Sequence, residues 1–193
     1  MGELMTSHRR LSQAISEGDG ISLIVPVDDT EGASAAEAAG AEGLLVNSNI
    51  AGIRDATALP LLRIGSDGEA DASVMSTQEL GDEERADAYY RSLLERGIEC
   101  VVEVTDSDHL EIALEWVDPE IFLLSPAAED DGEAAAERVL DLLQDVPAGK
   151  LAIAHLMVTT SEEVAELERT GFDAVTVGTH DVAGLVSAAP PEV

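Results

Sequence analysis

Basic side chains are scarce in this chain. Only 10 of its 193 residues are Lys or Arg, whereas 40 are Asp or Glu, which gives a formal net charge of −30. Lys150 is the single lysine. Such a surface repels nucleic acid and anionic membranes, because it offers no basic patch onto which their counterions could be released. The composition therefore excludes both as partners.

Cysteine and long apolar runs are scarce as well. Cys100 is the single cysteine, so we expect neither an internal disulfide framework nor a zinc site built on several cysteines. No run approaches the ~20 apolar residues of a membrane span. The first ten residues lack the hydrophobic stretch of a signal peptide. We therefore expect a cytoplasmic protein.

The acidic residues are spread along the whole chain and alternate with apolar stretches. An excess of this size fits either an acidic interaction tail or a solvated surface adapted to high salt, where screening removes the self-repulsion. The even spread favours the halophilic surface. Since 45% of the residues are apolar, the chain can bury a core, and we expect one domain over residues 1–193.

A repeated pattern runs along the chain, in which a polar stretch with helical spacing is followed by a short β-branched run. Eight runs occur, at residues 21–27, 43–47, 60–64, 71–76, 98–105, 120–125, 151–155 and 172–178. Helical stretches separate most of them, at residues 31–39, 50–56, 83–96, 107–116, 132–143 and 161–169. Such alternation indicates parallel strands joined by right-handed crossovers. Eight units predict an α/β fold, a compact (β/α)8 TIM barrel.

Two features distinguish the predicted barrel. Only GSDGEA separates the third run from the fourth, which is too short for a crossover helix, so the third unit is reduced. A helix at about residues 6–17 precedes the first run and is expected to cover the N-terminal end of the barrel. An open Rossmann-like sheet is the alternative, but it would leave two runs unexplained, and no G-x-G-x-x-G follows the first run.

Two segments carry a family resemblance. Residues 100–125 read CVVEVTDSDHLEIALEWVDPEIFLLS, and residues 149–179 read GKLAIAHLMVTTSEEVAELERTGFDAVTVGT. They resemble indole-3-glycerol phosphate synthase, and the second segment is shared more widely among the phosphate-binding barrels. The resemblance extends over residues 21–184 and is close from about residue 100 onward. The first half, with LIVPVDD and ADASVMS, resembles geranylgeranylglyceryl phosphate synthases at least as much.

The resemblance implies a loss of the synthase's lysines. Leu23 and Val25 stand where the synthase has a Glu and a Lys on its first strand, and Ile64 stands where it has a lysine general acid. Glu103 keeps its fifth-strand glutamate. Because ring closure by that mechanism needs a cationic acid over the substrate carbonyl, we predict that this protein is not a functional indole-3-glycerol phosphate synthase.

The later strands are changed in the same comparison. Ser125 stands in place of an asparagine, and His155-Leu156 replaces the Glu-Ser pair that opens the phosphate loop. Gly178 keeps the phosphate glycine of the eighth strand, and with Thr179 and His180 it could supply half of a phosphate site. The alternative is that these residues form only a tight strand-to-helix turn.

Reacting groups of such barrels lie at the C-terminal ends of the strands. Glu103 and His155 are the pair that we predict to act as general base and acid for enolisation, isomerisation or elimination. Arg63 and Ser125 are predicted to bind the substrate. The alternative is that Glu103 forms a salt bridge with Arg63 and that His155 is a hydrogen-bonded core residue. Lys150 precedes the seventh strand, at the opposite end, which excludes a Schiff-base aldolase.

No cofactor is predicted. Asp28, Asp29, Glu103, His155 and His180 are ligand types that divalent metals accept, but no spacing such as H-E-x-x-H links them. A metal is therefore a weakly supported alternative, and we assign no metal ligands.

Three functions remain open. The first is a lyase or isomerase that acts on a phosphorylated or carboxylated, and hence anionic, small metabolite by acid–base catalysis. The second is a noncatalytic barrel that binds a metabolite or a protein partner. The third, suggested by LIVPVDD, is a transferase like the prenylglyceryl phosphate synthases. Ala-rich helices hint at a homo-oligomer.

Overall fold

The structure, a computed structural model, describes residues 10–65, 68–179 and 181–185. Eight strands form one closed barrel in the order of the chain. Every neighbouring pair is parallel, and the last strand closes on the first with Ala174 opposite Ser22. The predicted (β/α)8 TIM barrel is confirmed.

Strands and helices alternate along the described chain. The strands are β1 Ser22–Pro26, β2 Gly43–Val46, β3 Leu61–Arg63, β4 Ala72–Met75, β5 Glu99–Val104, β6 Ile121–Leu124, β7 Leu151–Val158 and β8 Ala174–Val177. The helices are α1 Leu11–Ser16, α2 Thr30–Ala38, α3 Ile53–Ala56, α4 Glu83–Glu95, α5 Ser107–Trp116, α6 Gly132–Asp145 and α7 Ser161–Thr170. The predicted helix over residues 50–56 begins only at Ile53, because Gly52 before it has a left-handed backbone with φ of 78°.

Alternation along the strands creates two apolar layers, because successive side chains of a strand point to opposite faces. One set fills the inside of the barrel: Ile24, Leu45, Leu62, Val74, Val101, Leu123, Ile153 and Ala174. The neighbouring set packs between the barrel and the helices: Leu23, Val25, Leu44, Leu61, Cys100, Val102 and Leu124. Whether a residue can reach the barrel mouth therefore depends on its parity, that is, on whether it lies an even or an odd number of positions from an inward-facing residue of the same strand.

Helix α1 closes the N-terminal end of the barrel, as predicted. Leu11 and Ile15 are buried in the inner apolar cluster. The buried Glu99 carboxylate, at the start of β5, accepts a hydrogen bond of 3.2 Å from the Ser12 amide and another from the Ser12 hydroxyl. Arg10 adds an ion pair at 3.4 Å. The part of the predicted helix that precedes residue 10 lies outside the described residues.

The third unit is reduced, as predicted. Between β3 and β4 the described residues, 64–65 and 68–71, contain no helix. Arg63 bridges the two strands instead: its guanidinium donates to the Gly65 carbonyl oxygen at 3.1 Å and to the Gly68 carbonyl oxygen. It also lies 3.4 Å from the Ser73 hydroxyl, which in turn bonds the Tyr89 hydroxyl of α4. Arg63 thus serves as a buried support of the shortened connection.

No helix in the described part of the chain is both long and apolar enough to cross a membrane.

Candidate active site

On four neighbouring strands, an inward-facing polar side chain lies on the C-terminal side of the inner apolar residues. Glu103 on β5, Ser125 just after β6, His155 on β7 and Thr176 on β8 all have the parity of the inner residues. They lie toward the C-terminal ends of their strands, the face that carries active sites in this fold. The barrel mouth is therefore polar along the arc from β5 to β8.

Ser125 and His155 are in direct contact. The Ser125 Oγ lies 3.1 Å from the Nδ1 of His155, and Ser125 itself is buried. The hydroxyl can donate or accept, because a serine oxygen has one proton and two lone pairs. Ser125 therefore orients the imidazole in either of its neutral tautomers and leaves Nε2 as the nitrogen that can exchange a proton.

Glu103 and His155 interact electrostatically. Burial lowers the pKa of His155 below its ordinary value, and the Glu103 carboxylate opposes this with a smaller effect that raises the pKa. The imidazole is consequently neutral at neutral pH, the form in which it can act as an acid or a base. The two predicted catalytic residues thus lie on the same side of the barrel wall, near enough for the Glu103 carboxylate to influence the pKa of His155.

The Glu103 carboxylate is half-buried. Within the described residues it makes no hydrogen bond or ion pair, and the predicted alternative of a salt bridge to Arg63 is not formed there. A carboxylate kept in this state at the mouth of a barrel is available to a donor on a bound molecule.

A bulge in β7 shapes the mouth beside His155. Ala154 pairs with Val175 and Val158 pairs with Val177, so four residue steps on β7 oppose two on β8. Met157, inside the bulge, has a φ of 51°, which is rare for a residue other than glycine. Bulges of this kind redirect side chains and are common next to active sites.

Thr176 supports the bulge, and it was missed by the sequence reasoning. Its hydroxyl accepts from the Met157 amide at 3.3 Å and donates to the Ala154 carbonyl oxygen at 3.4 Å. Period-two alternation on β8 would have placed Thr176 on the inner side with Ala174, so the signal was present. The bulge itself has no comparable signature in the sequence.

The residues predicted to bind phosphate have other partners. The Gly178 amide donates to the Val158 carbonyl oxygen at 2.8 Å, and the Thr179 hydroxyl accepts from the Asp181 amide at 3.1 Å. His180 lies outside the described residues. These contacts match the alternative in which the segment is a tight turn, and phosphate binding stays a prediction that they do not support.

Arg63 does not reach the mouth. It shares the parity of Leu61, which packs in the outer layer, and its side chain is 1% exposed. Its donors are directed at the β3–β4 connection and at the Ser73 hydroxyl. Of the predicted site residues, the structure brings together Glu103, Ser125 and His155 and places Arg63 elsewhere.

The aspartates considered as metal ligands lie at the end of β1. Asp28 and Asp29 are exposed, and the Asp29 carboxylate caps α2 by accepting from the Gly32 amide at 2.7 Å. Among residues 10–65, 68–179 and 181–185, no three His, Cys, Asp or Glu side chains are grouped closely enough to hold a metal ion.

The barrel is similar to solved structures of two enzymes. N-acetylmannosamine-6-phosphate 2-epimerase from Clostridium perfringens matches with a TM-score of 0.69 and 14% identity, over 91% of this chain and 92% of the epimerase. A 2,3-dimethylmalate lyase of the PEP mutase/isocitrate lyase superfamily matches with a TM-score of 0.62 and 16% identity, over 86% of this chain and 77% of the lyase. No protein-family model matches the chain.

Identities this low establish the fold alone. The two neighbours are TIM-barrel enzymes, an epimerase and a lyase. The finer resemblance to indole-3-glycerol phosphate synthase and to the phosphate-binding barrels stays a prediction.

Proposed function

We propose that this barrel is a small-molecule isomerase or lyase that works by acid–base catalysis at its C-terminal face. The observation that carries the proposal is a half-buried Glu103 carboxylate, with no hydrogen bond or ion pair from the described residues, near enough to the neutral imidazole of His155 to raise its pKa. A proton acceptor and a proton donor at one site are what proton transfer within a substrate requires. The epimerase and the lyase of the same fold are compatible with this chemistry.

Glu103 is the candidate general base. Its carboxylate would take the proton from a carbon next to a carbonyl group, and the C–H electrons would move into an enolate. His155 would donate the Nε2 proton to the developing oxyanion. In an isomerisation Glu103 returns its proton to another carbon while the enol O–H proton goes back to Nε2. In an elimination the enol proton also goes back to Nε2 as the carbonyl re-forms, the bond to the leaving group breaks, and the leaving group then takes that proton from Nε2.

Ser125 is a positioning residue in this scheme. Because its hydroxyl can accept from a protonated Nδ1 or donate to an unprotonated one, the contact at 3.1 Å holds the ring whether or not Nε2 carries the proton.

The test is hydrogen exchange in D2O with a panel of aldoses, ketoses, sugar phosphates and 2-oxo acids, followed by NMR. Deuterium should enter next to the carbonyl of a substrate, and Glu103→Gln or His155→Asn should each slow this by roughly 10²- to 10⁴-fold, the usual contribution of a general acid or base. Glu111→Gln is a matched control, because Glu111 is an exposed acid on α5. Exchange that persists in the Glu103→Gln/His155→Asn double variant would refute the proposal.

A noncatalytic barrel that binds a metabolite is the second candidate. It is favoured by the internal use of the Gly178 amide and the Thr179 hydroxyl, which leaves neither group in place for phosphate. Binding of a panel compound without any exchange would support this candidate.

A further inference from the structure

The turn after β8 contains a carboxylate that occupies one of its backbone donors. Asp181 caps the short 3₁₀ turn Val182–Gly184, where its carboxylate accepts from the Gly184 amide at 3.2 Å. Its own amide is bonded to Thr179. An external phosphate would meet a carboxylate at this turn, and the amide of Gly178 is already bonded to Val158.

Cations are absent from the inner wall in the part of the chain that the structure describes. No inner-facing strand position there carries Lys or Arg. Arg54 and Lys150 form ion pairs with Asp71 and Asp118, Arg138 pairs with Asp130 in the connection between β6 and α6, and Arg10 pairs with Glu99 at the opposite end. An anionic substrate would therefore meet no opposite charge from these residues.

The acidic group at the mouth remains uncompensated. Glu103 has no donor from the described residues, and the whole chain carries a formal charge of −30. A carboxylate of this kind attracts N–H and O–H donors and repels anions, and the effect is strengthened by partial burial.

We infer that the site takes an uncharged or cationic substrate that donates a hydrogen bond to Glu103, and not a phosphorylated one. The inference rests on the proposed function in assigning this ligand to the catalytic site. It departs from the anionic metabolite expected from the family resemblance.

The experiment follows the His155 imidazole by NMR in the intact protein, with ionic strength held constant by KCl. The chain contains 4 histidines, so the His155 signals are assigned by their loss in His155→Asn. Methylammonium is the cationic compound, glycerol the uncharged one and inorganic phosphate the anion. A bound cation should lower the midpoint of the His155 titration, whereas a bound phosphate should raise it, since nearby charge favours or disfavours the imidazolium.

We expect saturable shifts with methylammonium or glycerol and none with phosphate. Glu103→Gln should weaken methylammonium binding by about tenfold, because a charge-assisted hydrogen bond becomes a neutral one, while Glu111→Gln should bind it like the unmodified protein. A saturable rise of the titration midpoint with phosphate overturns the inference. So does a result in which neither methylammonium nor glycerol shifts the His155 signals.

The outcome is separable from the test of catalysis. If the three compounds behave as expected but deuterium exchange persists in the double variant, the acid–base mechanism fails and the charge preference stands. If exchange depends on Glu103 and His155 but only phosphorylated compounds exchange, the mechanism stands and the charge preference fails.

Discussion

The Oγ of Ser125 and the Nδ1 of His155 are 3.1 Å apart at the mouth of the barrel. This contact joins two neighbouring strands through groups that can both reverse their donor and acceptor roles. The contact holds the imidazole ring in place but does not determine which ring nitrogen carries the proton. A residue that acts first as an acid and then as a base needs this property.

Replacement of Ser125 should therefore affect turnover more than folding. We expect Ser125→Ala to lower kcat by roughly fivefold, the value of one lost hydrogen bond of about 1 kcal/mol, with KM little changed. Ser125→Thr keeps a hydroxyl and should restore most of the rate. The pH profile is the deciding measurement, because loss of the contact should displace the limb assigned to His155, which a merely structural defect would leave in place.

Protein stability should respond to the protonation of His155. Burial holds its pKa below the value of about 6.5 of an exposed imidazole, so as the pH falls the unfolded chain takes up the proton before the folded one does. The contribution to stability is complete above about pH 6.5 and decreases as the pH falls from there toward the folded pKa.

Chemical denaturation at fixed KCl across this range measures the effect. His155→Asn should make the free energy of unfolding less dependent on pH. Glu103→Gln should extend the loss of stability to lower pH, since the carboxylate raises the pKa of His155. An equally steep dependence in His155→Asn would assign it to other groups.

The fold was accessible from the sequence because each strand carries its own apolar signal. The run SLIV in β1 and the run IFLL in β6 are buried on both faces, and eight such runs separated by helical spacing leave few architectures. The position of Glu103 at the barrel mouth followed from the same reasoning, since the C-terminal ends of barrel strands converge.

The details of the mouth were less accessible. Arg63 was placed there by its position near the end of a strand, although its parity with Leu61 directs it outward. The bulge at Met157 depends on the register between β7 and β8, which arises only when the barrel closes. Local patterns therefore predicted which strands exist and not how their ends are adjusted to one another.

Cys100 should be chemically inert in the folded protein. Burial, and to a smaller extent the Glu79 carboxylate, raises the pKa of its thiol to about 12, and the reactive thiolate is correspondingly rare. We expect no reaction with a disulfide reagent at about pH 8 until denaturant is added, after which one thiol per chain should react. Rapid labelling of the native protein would show that the layer between β5 and α4 opens in solution.

Replacement of Gly178 distinguishes two roles for this glycine at the end of β8, which are to allow close packing against the β7 bulge and to admit a phosphate. A Cβ at this position would lie 2.5 Å from the Met157 carbonyl oxygen and 3.2 Å from its carbon, both of them backbone atoms of a constrained bulge. Gly178→Ala should therefore lower the free energy of unfolding by about 1–3 kcal/mol, as overpacking does. Gly81→Ala is the matched control, because a Cβ there meets open space, and it should stay within about 0.5 kcal/mol of the unmodified protein.

The two roles of Gly178 give opposite results when no phosphate is present. If the glycine allows the close approach of β8 to Met157, Gly178→Ala is destabilised in phosphate-free KCl, and the His155 NMR signals shift because the bulge beside the imidazole moves. If the glycine serves only to admit a phosphate, the variant unfolds like the unmodified protein in that buffer and differs from it only when phosphate is added. Unchanged stability together with unchanged His155 signals would therefore contradict the close contact between Gly178 and Met157.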